Sequence, residues 1–264
     1  MRDRSERVVT HRIRALRDVA VPPLKIAMIA DLHACRPGMA EDRIARIVAQ
    51  ANGLGADLIC LLGDYPGHTR GTTPLTPDEV VPRLTALRAP LGVVAIMGNH
   101  DWLDDLPARR GEIPETRWHR AFRDAGLTTL HNAATTLRKD GLEVTLAGLD
   151  SQMAHGRKRP GADDFASVSA RIDPGRFTIL LAHEPDIFPD LPGHVDLTLS
   201  GHMHGGQVRL FGRALYCPSR YGTRYDLGHF REGTRQLVVS GGLGNSLLPI
   251  RFGIPPAITV VDIG

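Results

Sequence analysis

The sequence lacks the features that mark secreted and membrane-spanning proteins. Its three cysteines, Cys35, Cys60 and Cys217, form no Cys-x-x-Cys pair, so neither a disulfide framework nor a thiolate zinc site is predicted and a reducing compartment is expected. No apolar run has the length of a membrane span, and residues 1–9 lack the apolar segment of a secretory signal. We therefore expect a cytoplasmic protein without a transmembrane segment.

Aromatic residues and net charge are also scarce. Aromatic residues make up 5% of the chain and the formal net charge is +3 at pH 7, whereas a nuclease would show a broad basic groove with aromatic side chains. We therefore do not expect nucleic acid as a partner and rank a nuclease last. The 264 residues contain no linker, repeat or low-complexity run, which favours a single domain over residues 1–264.

Apolar runs typical of buried strands recur along the chain, and helical patterns separate the first of them. Strands are predicted at 24–30, 57–62, 91–97, 177–182, 195–199, 236–240 and 257–261. The alternation of strands and helices indicates parallel pairing, whereas Asp140-Gly141 between β-prone runs indicates a hairpin. We predict an α/β (α+β) fold, a four-layer α-β-β-α sandwich of two packed mixed sheets flanked by helices.

Four helices are predicted from apolar periodicity and capping residues. They lie at 39–51, from Pro77 onward, at 115–125 and at 163–172. Thr76 and Glu79 form the pattern of a capping box at the second helix, and Gly126 follows the third as a left-handed C-terminal residue.

Polar residues that can bind a metal follow the predicted strands. They are Asp31, His33, Asp64, Asn99, His100, Asp101, His183, His202 and His204. In an extended backbone, residues two apart point the same way, so Asp31 pairs with His33 and His202 with His204. Ligands collect at the carboxyl ends of parallel strands, and carboxylate oxygen with imidazole nitrogen suits Mn²⁺, Fe or Zn²⁺. The pattern predicts a dinuclear metal site at these strand ends that hydrolyses phosphate esters through a bridging hydroxide.

These motifs resemble those of the calcineurin-like metallophosphoesterases. The matching motifs, within residues 24–210, are Asp31-x-His33, Gly63-Asp64, Gly98-Asn99-His100-Asp101, His183 and Gly201-His202-x-His204. Further motifs resemble the branch of small bacterial YkuE- or YaeI-like phosphodiesterases: Leu180-x-Ala182-His183-x-Pro185-Asp186, Ser200 to Gln207 and Pro249-Ile250-Arg251-Phe252.

The resemblance implies a role for each motif residue. Asp31, His33 and His204 would bind a first metal ion, Asn99, His183 and His202 a second, and Asp64 would bridge them. His100 would contact the phosphoryl oxygens and assist the leaving group, and Asp101 would orient the His100 ring. The cofactors would be two divalent metal ions, with Mn²⁺ preferred and Fe, Zn²⁺ or Mg²⁺ as alternatives.

The predicted function is that of a metal-dependent phosphoesterase, with a phosphodiesterase favoured, in which hydroxide held by two metals attacks a phosphate ester. One alternative is a UDP-2,3-diacylglucosamine-type pyrophosphate hydrolase. Its support is a set of C-terminal apolar residues, for which we expect core packing: Leu247, Leu248, Ile250 and Phe252. Another alternative is a non-catalytic scaffold, against which the complete ligand set argues. The expected partner is a small phosphate ester or a nucleotide-lipid substrate, and peripheral membrane contact stays open.

Several polar residues outside these motifs stay open or receive no function. In the loop after Asp64, His68 and Arg70 either line the pocket or lie in solvent. A basic patch, for which a solvated surface is expected, comprises His155, Arg157, Lys158 and Arg159. The remaining histidines, to which we assign no function, are His11, His119, His131, His194 and His229.

Overall fold

In a computed structural model, which describes residues 5–264, the chain forms two six-stranded sheets packed face to face. Its strands are β1 (Arg7–Ile13), β2 (Leu24–Ile29), β3 (Cys35–Arg36), β4 (Leu58–Leu61), β5 (Thr73–Pro74), β6 (Val93–Ala95), β7 (Thr128–Thr129), β8 (Ala133–Lys139), β9 (Leu142–Gly148), β10 (Phe177–Leu181), β11 (Leu197–Ser200), β12 (Arg209–Leu210), β13 (Arg213–Ala214), β14 (Gly228–Glu232), β15 (Arg235–Val239) and β16 (Ala257–Ile263). Its helices are α1 (Glu41–Asn52), α2 (Pro77–Leu84), α3 (Asn99–Leu103), α4 (Leu106–Arg110), α5 (Arg117–Asp124) and α6 (Phe165–Ser169), with 3₁₀ turns at Pro185–Asp190 and His204–Gly206.

Both large sheets have a parallel centre. The first sheet has the order β1-β16-β2-β4-β6-β7, with β2, β4, β6 and β7 parallel and β16 antiparallel to β2. The second has the order β14-β15-β11-β10-β9-β8, with β9, β10, β11 and β15 parallel and antiparallel strands at both edges. This confirms the two mixed sheets.

Three apolar layers hold the sandwich together. Alternate residues of β2 face opposite ways: Ile26 and Met28 pack between the sheets, whereas Ala27 and Ile29 pack with the residues of α1, α2 and α5. The outer face of the second sheet is covered by α6, by the Pro185–Asp190 turn and by the loop that carries Tyr225. Strands buried on both faces explain the continuous apolar runs, and the predicted four-layer arrangement is confirmed.

Of two elements predicted from local sequence, the hairpin is present as predicted and the helix at 163–172 is shorter than predicted. The predicted hairpin is confirmed, because Asp140 and Gly141 have φ of 52° and 77° and join the antiparallel β8 and β9. The predicted helix at 163–172 is shortened to α6, whose start is capped by the Asp164 side chain accepting a bond from the Ser167 N–H. No helix among residues 5–264 combines the length and apolar composition needed to cross a membrane.

Candidate metal centre

The predicted ligands lie where loops of both sheets meet at one edge of the sandwich. Asp31 and His33 follow β2, Asp64 follows β4, and Asn99 begins α3 after β6. The ligands from the second sheet follow β10 and β11, and they are His183, His202 and His204. All seven side chains are buried.

The ligand atoms form two groups that meet at Asp64. Those of Asp31, His33 and His204 all lie within 4.8 Å of one another, as do those of Asp64, His183 and His202. Asp64 Oδ2 lies 3.3 Å from His183 Nε2 in its own group and 3.5 Å from His33 Nε2 in the other. A carboxylate between two ligand sets is the position that a bridging ligand occupies in a two-metal site.

Five of the seven ligand residues have a left-handed backbone, with φ between 45° and 66°. They are Asp31, His33, Asp64, His202 and His204. Asp tolerates this region better than most residues, and His is also enriched there, but each such position still costs about 1 kcal/mol or more. The backbone is therefore not extended at these motifs. The side chains of residues two apart do converge, but not because side chains alternate along an extended strand, which was the reason we gave for pairing them. Tight left-handed turns after β2, β4 and β11 bring these side chains together.

Backbone carbonyls fix the orientation of three imidazole rings. His183 Nδ1 lies 2.6 Å from Leu62 O and His33 Nδ1 lies 3.0 Å from Pro66 O. Because a carbonyl only accepts, Nδ1 carries the proton in each neutral ring and Nε2 offers its lone pair to the site. In His202 the arrangement is reversed, since Nε2 lies 3.2 Å from Pro218 O and Nδ1 is the free nitrogen.

Unpaired polar atoms show that the site suits a cation. Among residues 5–264, Asp31 Oδ2, Asn99 Oδ1 and His183 Nε2 are buried and have no hydrogen-bond partner, a costly arrangement unless another group binds them. Two carboxylates, an amide oxygen and imidazole nitrogens form a donor set typical of divalent first-row metals. The residues present therefore fit the metal ions that the motifs imply.

Burial also sets the protonation of the ligands. It lowers the pKa of His33 and His204 well below the ordinary value and that of His202 to about 3, so these rings are neutral, as metal ligands must be. Burial would raise the pKa of Asp64, but His183 and other nearby histidines hold it well below its ordinary value. Burial would lower the pKa of His183, but the Asp64 carboxylate outweighs it and raises that pKa. A cation between these two groups would take the place of the proton on His183.

Two motif glycines allow the ligand loops to approach closely. A Cβ on Gly98 would lie 2.4 Å from Asp64 Oδ1, and one on Gly201 would lie 2.7 Å from Asp31 Oδ2. Any side chain at either position would displace a carboxylate ligand.

His100 lies beside the ligands, and the ring of a second histidine, His68, stacks on its ring. The rings of His100 and His68 stack with centroids 3.6 Å apart and planes 17° apart. His68 Nε2 is held 3.0 Å from Ser246 Oγ. Both histidines line a cleft of about 480 Å³ together with Asp64, Asn99, His202 and His204. The cleft lining includes His68 but not Arg70, so of these two residues from the loop after Asp64 only His68 reaches it.

Asp101 does not orient His100, and this prediction is wrong. One carboxylate oxygen accepts bonds from the N–H groups of Gly98 and Asp64, at 2.6 and 2.9 Å. The other accepts from the Tyr65 N–H at 3.0 Å. Asp101 thus ties the start of α3 to the loop after β4 and holds Asp64 in place from behind.

Arg251 is a residue of the site whose role the motifs did not reveal. Its Nη2 lies 3.0 Å from His204 Nδ1, while Nη1 and Nε donate to the carbonyls of Gly241 and Gly244 at 2.7 and 2.9 Å. Arg251 is the only charged residue between 244 and 261, which is the signal that could have drawn attention to it.

The C-terminal apolar residues do not pack in the core, so that expectation is wrong. Leu247, Leu248, Ile250 and Phe252 are 49–58% exposed. Their segment runs outside both sheets beside the cleft, where Gln207 Nε2 donates to the carbonyls of Ser246 and Leu248.

A third group of possible ligands, His119, His131 and Asp150, is explained by hydrogen bonds. The Thr116 N–H donates to His119 Nδ1, so Nε2 of the neutral ring carries the proton and donates to Asp150 Oδ1 at 3.1 Å. Both ring nitrogens of His119 are thus hydrogen-bonded within the protein, and the group joins α5 to the end of β9.

Comparison with known proteins shows the family of the chain. The family model described as "Calcineurin-like phosphoesterase" matches residues 24–206. The chain belongs to the calcineurin-like phosphoesterase family. As a metallophosphoesterase it is a hydrolase of phosphate esters.

Relatives support the predicted branch of this family. The metallophosphoesterase is 33% identical over 242 residues to metallophosphoesterase YkuE of Bacillus subtilis, covering 89% of this chain and 77% of that protein. It is 31% identical over 265 residues to phosphodiesterase YaeI of Escherichia coli, covering 97% and 87%. Among solved structures, the NAD nucleotidase of Haemophilus influenzae superposes with a TM-score of 0.52 at 15% identity, over 84% of this chain and 45% of that one. That last likeness concerns the fold alone.

Proposed function

We propose that this metallophosphoesterase is a phosphodiesterase with a dinuclear metal centre in the cleft. The observation that carries the proposal is the position of Asp64 Oδ2, 3.5 Å from His33 Nε2 in one buried ligand group and 3.3 Å from His183 Nε2 in the other. The name of the relative YaeI supports a diester as substrate.

The motif order and the geometry support one assignment of the ligands. Asp31, His33 and His204 would hold one ion, and Asn99, His183 and His202 the other, with Asp64 between them. When bound, two divalent cations, preferably Mn²⁺ with Fe, Zn²⁺ or Mg²⁺ as alternatives, supply an activated water and offset charge on the phosphoryl oxygens.

His100 provides the remaining chemistry from the chain. Its backbone N–H donates to Asp64 Oδ1 at 2.8 Å, which fixes the start of α3 beside the bridging carboxylate. Burial lowers the pKa of the ring, whereas the negative charge of a bound phosphate ester would favour the imidazolium. The imidazolium would hydrogen-bond a phosphoryl oxygen and protonate the leaving oxygen. His68, stacked on its face, holds the ring in place.

Metal analysis tests the dinuclear centre. After loading with Mn²⁺ and removal of excess metal, native mass spectrometry should give about two ions per chain. A stoichiometry that stays at one would overturn the dinuclear assignment.

Substrate preference is tested separately on soluble compounds. We expect faster turnover of bis(p-nitrophenyl) phosphate than of p-nitrophenyl phosphate by the Mn²⁺-loaded enzyme. A clear preference for the monoester would contradict the phosphodiesterase.

The exposed apolar residues beside the cleft favour one alternative, a UDP-2,3-diacylglucosamine-type pyrophosphate hydrolase. Leu247 and Leu248 line the same cleft as Asn99 and His100, which would suit a nucleotide carrying acyl chains. Release of UMP from such a substrate, at a higher kcat/KM than the soluble diester shows, would select this alternative.

A further inference from the structure

Exposed apolar side chains are concentrated in two segments next to the metal centre. Of the eleven large apolar side chains that are exposed among residues 5–264, eight belong to these segments. We call them the apolar face: Leu210, Phe211, Leu215, Tyr216, Leu247, Leu248, Ile250 and Phe252. A patch of this kind on a protein surface marks an interaction site.

Backbone bonds join the two segments into one surface. The Arg209 N–H donates to Phe252 O at 2.8 Å and the Phe252 N–H to Gln207 O at 3.0 Å. Arg209 Nη1 also donates to Gly205 O at 2.9 Å, which fastens the β12–β13 hairpin to the loop of His204. Four members of the apolar face, Leu215, Tyr216, Leu247 and Leu248, line the catalytic cleft. The apolar face therefore borders the mouth of the cleft.

Two exposed apolar residues of the apolar face, Phe211 and Leu247, have a strained backbone. Phe211 and Gly212 form the two-residue turn of the hairpin, with φ of 50° and 78°, and the Phe211 side chain is fully exposed. Such turns favour Asn-Gly, and a bulky residue with positive φ is an outlier. Leu247 repeats the arrangement, with φ of 58° and 58% exposure. Phe211 gains no burial within the chain and Leu247 stays mostly exposed, so packing within the chain does little to offset the strain.

The charge beside the apolar face that is not neutralised by an ion pair is positive. Residues 205–221 and 244–256 contain four arginines and no Asp or Glu: Arg209, Arg213, Arg220 and Arg251. Arg209 is paired with Asp226 and Arg220 with Asp190, so Arg213 and Arg251 supply the remaining positive charge. Arg213 is exposed directly after the turn of the hairpin. Apolar tips flanked by arginines match an anionic lipid surface, which takes up the tips and attracts the cations.

We propose that the apolar face docks on a bilayer that contains anionic phospholipid, with Phe211 and Phe252 entering the boundary between head groups and acyl chains. Docking directs the cleft toward the lipid head groups. The consequence that the substrate is a phosphate diester carried by a lipid rests on the proposed phosphodiesterase function, whereas docking itself does not.

Vesicle sedimentation tests the docking. We expect the metal-loaded protein to bind vesicles of phosphatidylcholine with phosphatidylglycerol, to bind pure phosphatidylcholine vesicles more weakly, and to be released by salt. Phe211→Asn combined with Phe252→Gln should weaken partitioning by about tenfold or more. Asn suits the left-handed position, so the hairpin is preserved. The matched control is Leu16→Asn, which removes an exposed apolar side chain far from the cleft. Leu16 precedes Arg17, whose side chain bonds Asp196 at the opposite ends of the strands. This variant should bind vesicles as the unmodified protein does.

A fluorescent variant reports insertion directly. In Phe211→Trp, brominated lipid should quench the new indole, because Trp102 and Trp118 are buried and contribute little quenching. Absence of vesicle binding, equal binding by the double variant, or an introduced indole that stays unquenched would each overturn the docking. Turnover of bis(p-nitrophenyl) phosphate is measured in parallel. The double variant should retain it, and failure of the unmodified enzyme in that assay would contradict the phosphodiesterase without affecting the docking.

Discussion

Asp64 is the residue on which the two ligand groups depend. One carboxylate oxygen faces His33 and His183, and the other accepts the N–H of His100. Asp64→Asn keeps the volume but removes the charge, so we expect loss of at least one metal and a fall in kcat of about 10²–10³-fold. Metal analysis and turnover of a soluble diester measure both.

A terminal ligand provides the comparison for Asp64. His202→Gln should cost less activity and less metal, because it removes one ligand of one ion. If Asp64→Asn retains two metals and nearly normal turnover, another group bridges the ions.

His100 is expected to act on the substrate and not on the metals. His100→Ala should keep about two metals per chain while kcat falls by about 10²–10⁴-fold, the range of a proton-transfer group. The loss should be greater for alkyl esters than for nitrophenyl esters, whose leaving group needs little help.

The control for His100 is His68→Phe, which preserves the stacked ring without its hydrogen bond to Ser246. This variant should keep much more activity than His100→Ala. If His100→Ala lowers kcat equally for alkyl and nitrophenyl esters, His100 only stabilises the phosphoryl oxygens. If His100→Ala loses a metal ion, His100 is a metal ligand.

Among the elements, the turn after β7 and the end of β9 are joined by a charged pair. The hydrogen bond between His131 and Asp150 raises the pKa of His131 above its ordinary 6.5. Burial would raise the pKa of Asp150, but bonds from His119 and His131 hold it below the ordinary 3.8. The His131 contribution to stability is thus fully present below pH 6.5 and lost as pH rises through the folded pKa, while that of Asp150 is present above pH 3.8 and lost as pH falls through its folded pKa.

The consequence is a pH-dependent effect of His131→Gln. Urea unfolding of the metal-free proteins should show the largest difference in unfolding free energy near pH 5, roughly midway between the two ordinary pKa values, and a smaller one near pH 9. A difference independent of pH would mean that His131 contributes by packing alone. Lys139→Gln, which breaks an ion pair with Asp57 elsewhere, serves as the control, with no such decline between these pH values.

At the scale of the whole molecule, the metal centre joins the two sheets. Each ligand group takes side chains from both: Asp31 and His33 with His204, and Asp64 with His183 and His202. Bound ions therefore stabilise the packed sandwich, by about 2.7 kcal/mol for one site at a free metal concentration of 100 Kd.

Chelation should accordingly lower the midpoint of thermal unfolding. We expect the Mn²⁺-loaded protein to unfold several degrees above the EDTA-treated protein, and Asp64→Asn to lose much of this difference while His100→Ala retains it. Identical midpoints with and without metal would show that the ions do not link the sheets.

The fold could be predicted from the sequence because its strands are buried on both faces. Runs such as residues 57–62 and 177–182 are apolar without interruption, and helical patterns between them indicate parallel pairing. Two edge strands, β1 and β14, were not predicted, because polar residues on their exposed sides interrupt the apolar pattern. Arg7–Ile13 therefore resembles a charged lead-in.

The sequence by itself determined which residues assemble at the site, because Asp, His and Asn directly after buried strands must lie at one edge of parallel sheets. Only the tertiary structure decided how they meet. The backbone at Asp31 and His202 is left-handed, not extended as expected. The Asp101 carboxylate accepts hydrogen bonds from three backbone N–H groups and does not contact His100. Local sequence patterns do not predict which loops become neighbours and which face solvent. The stacking of His68 on His100 and the exposure of Phe211 depend on those contacts between loops.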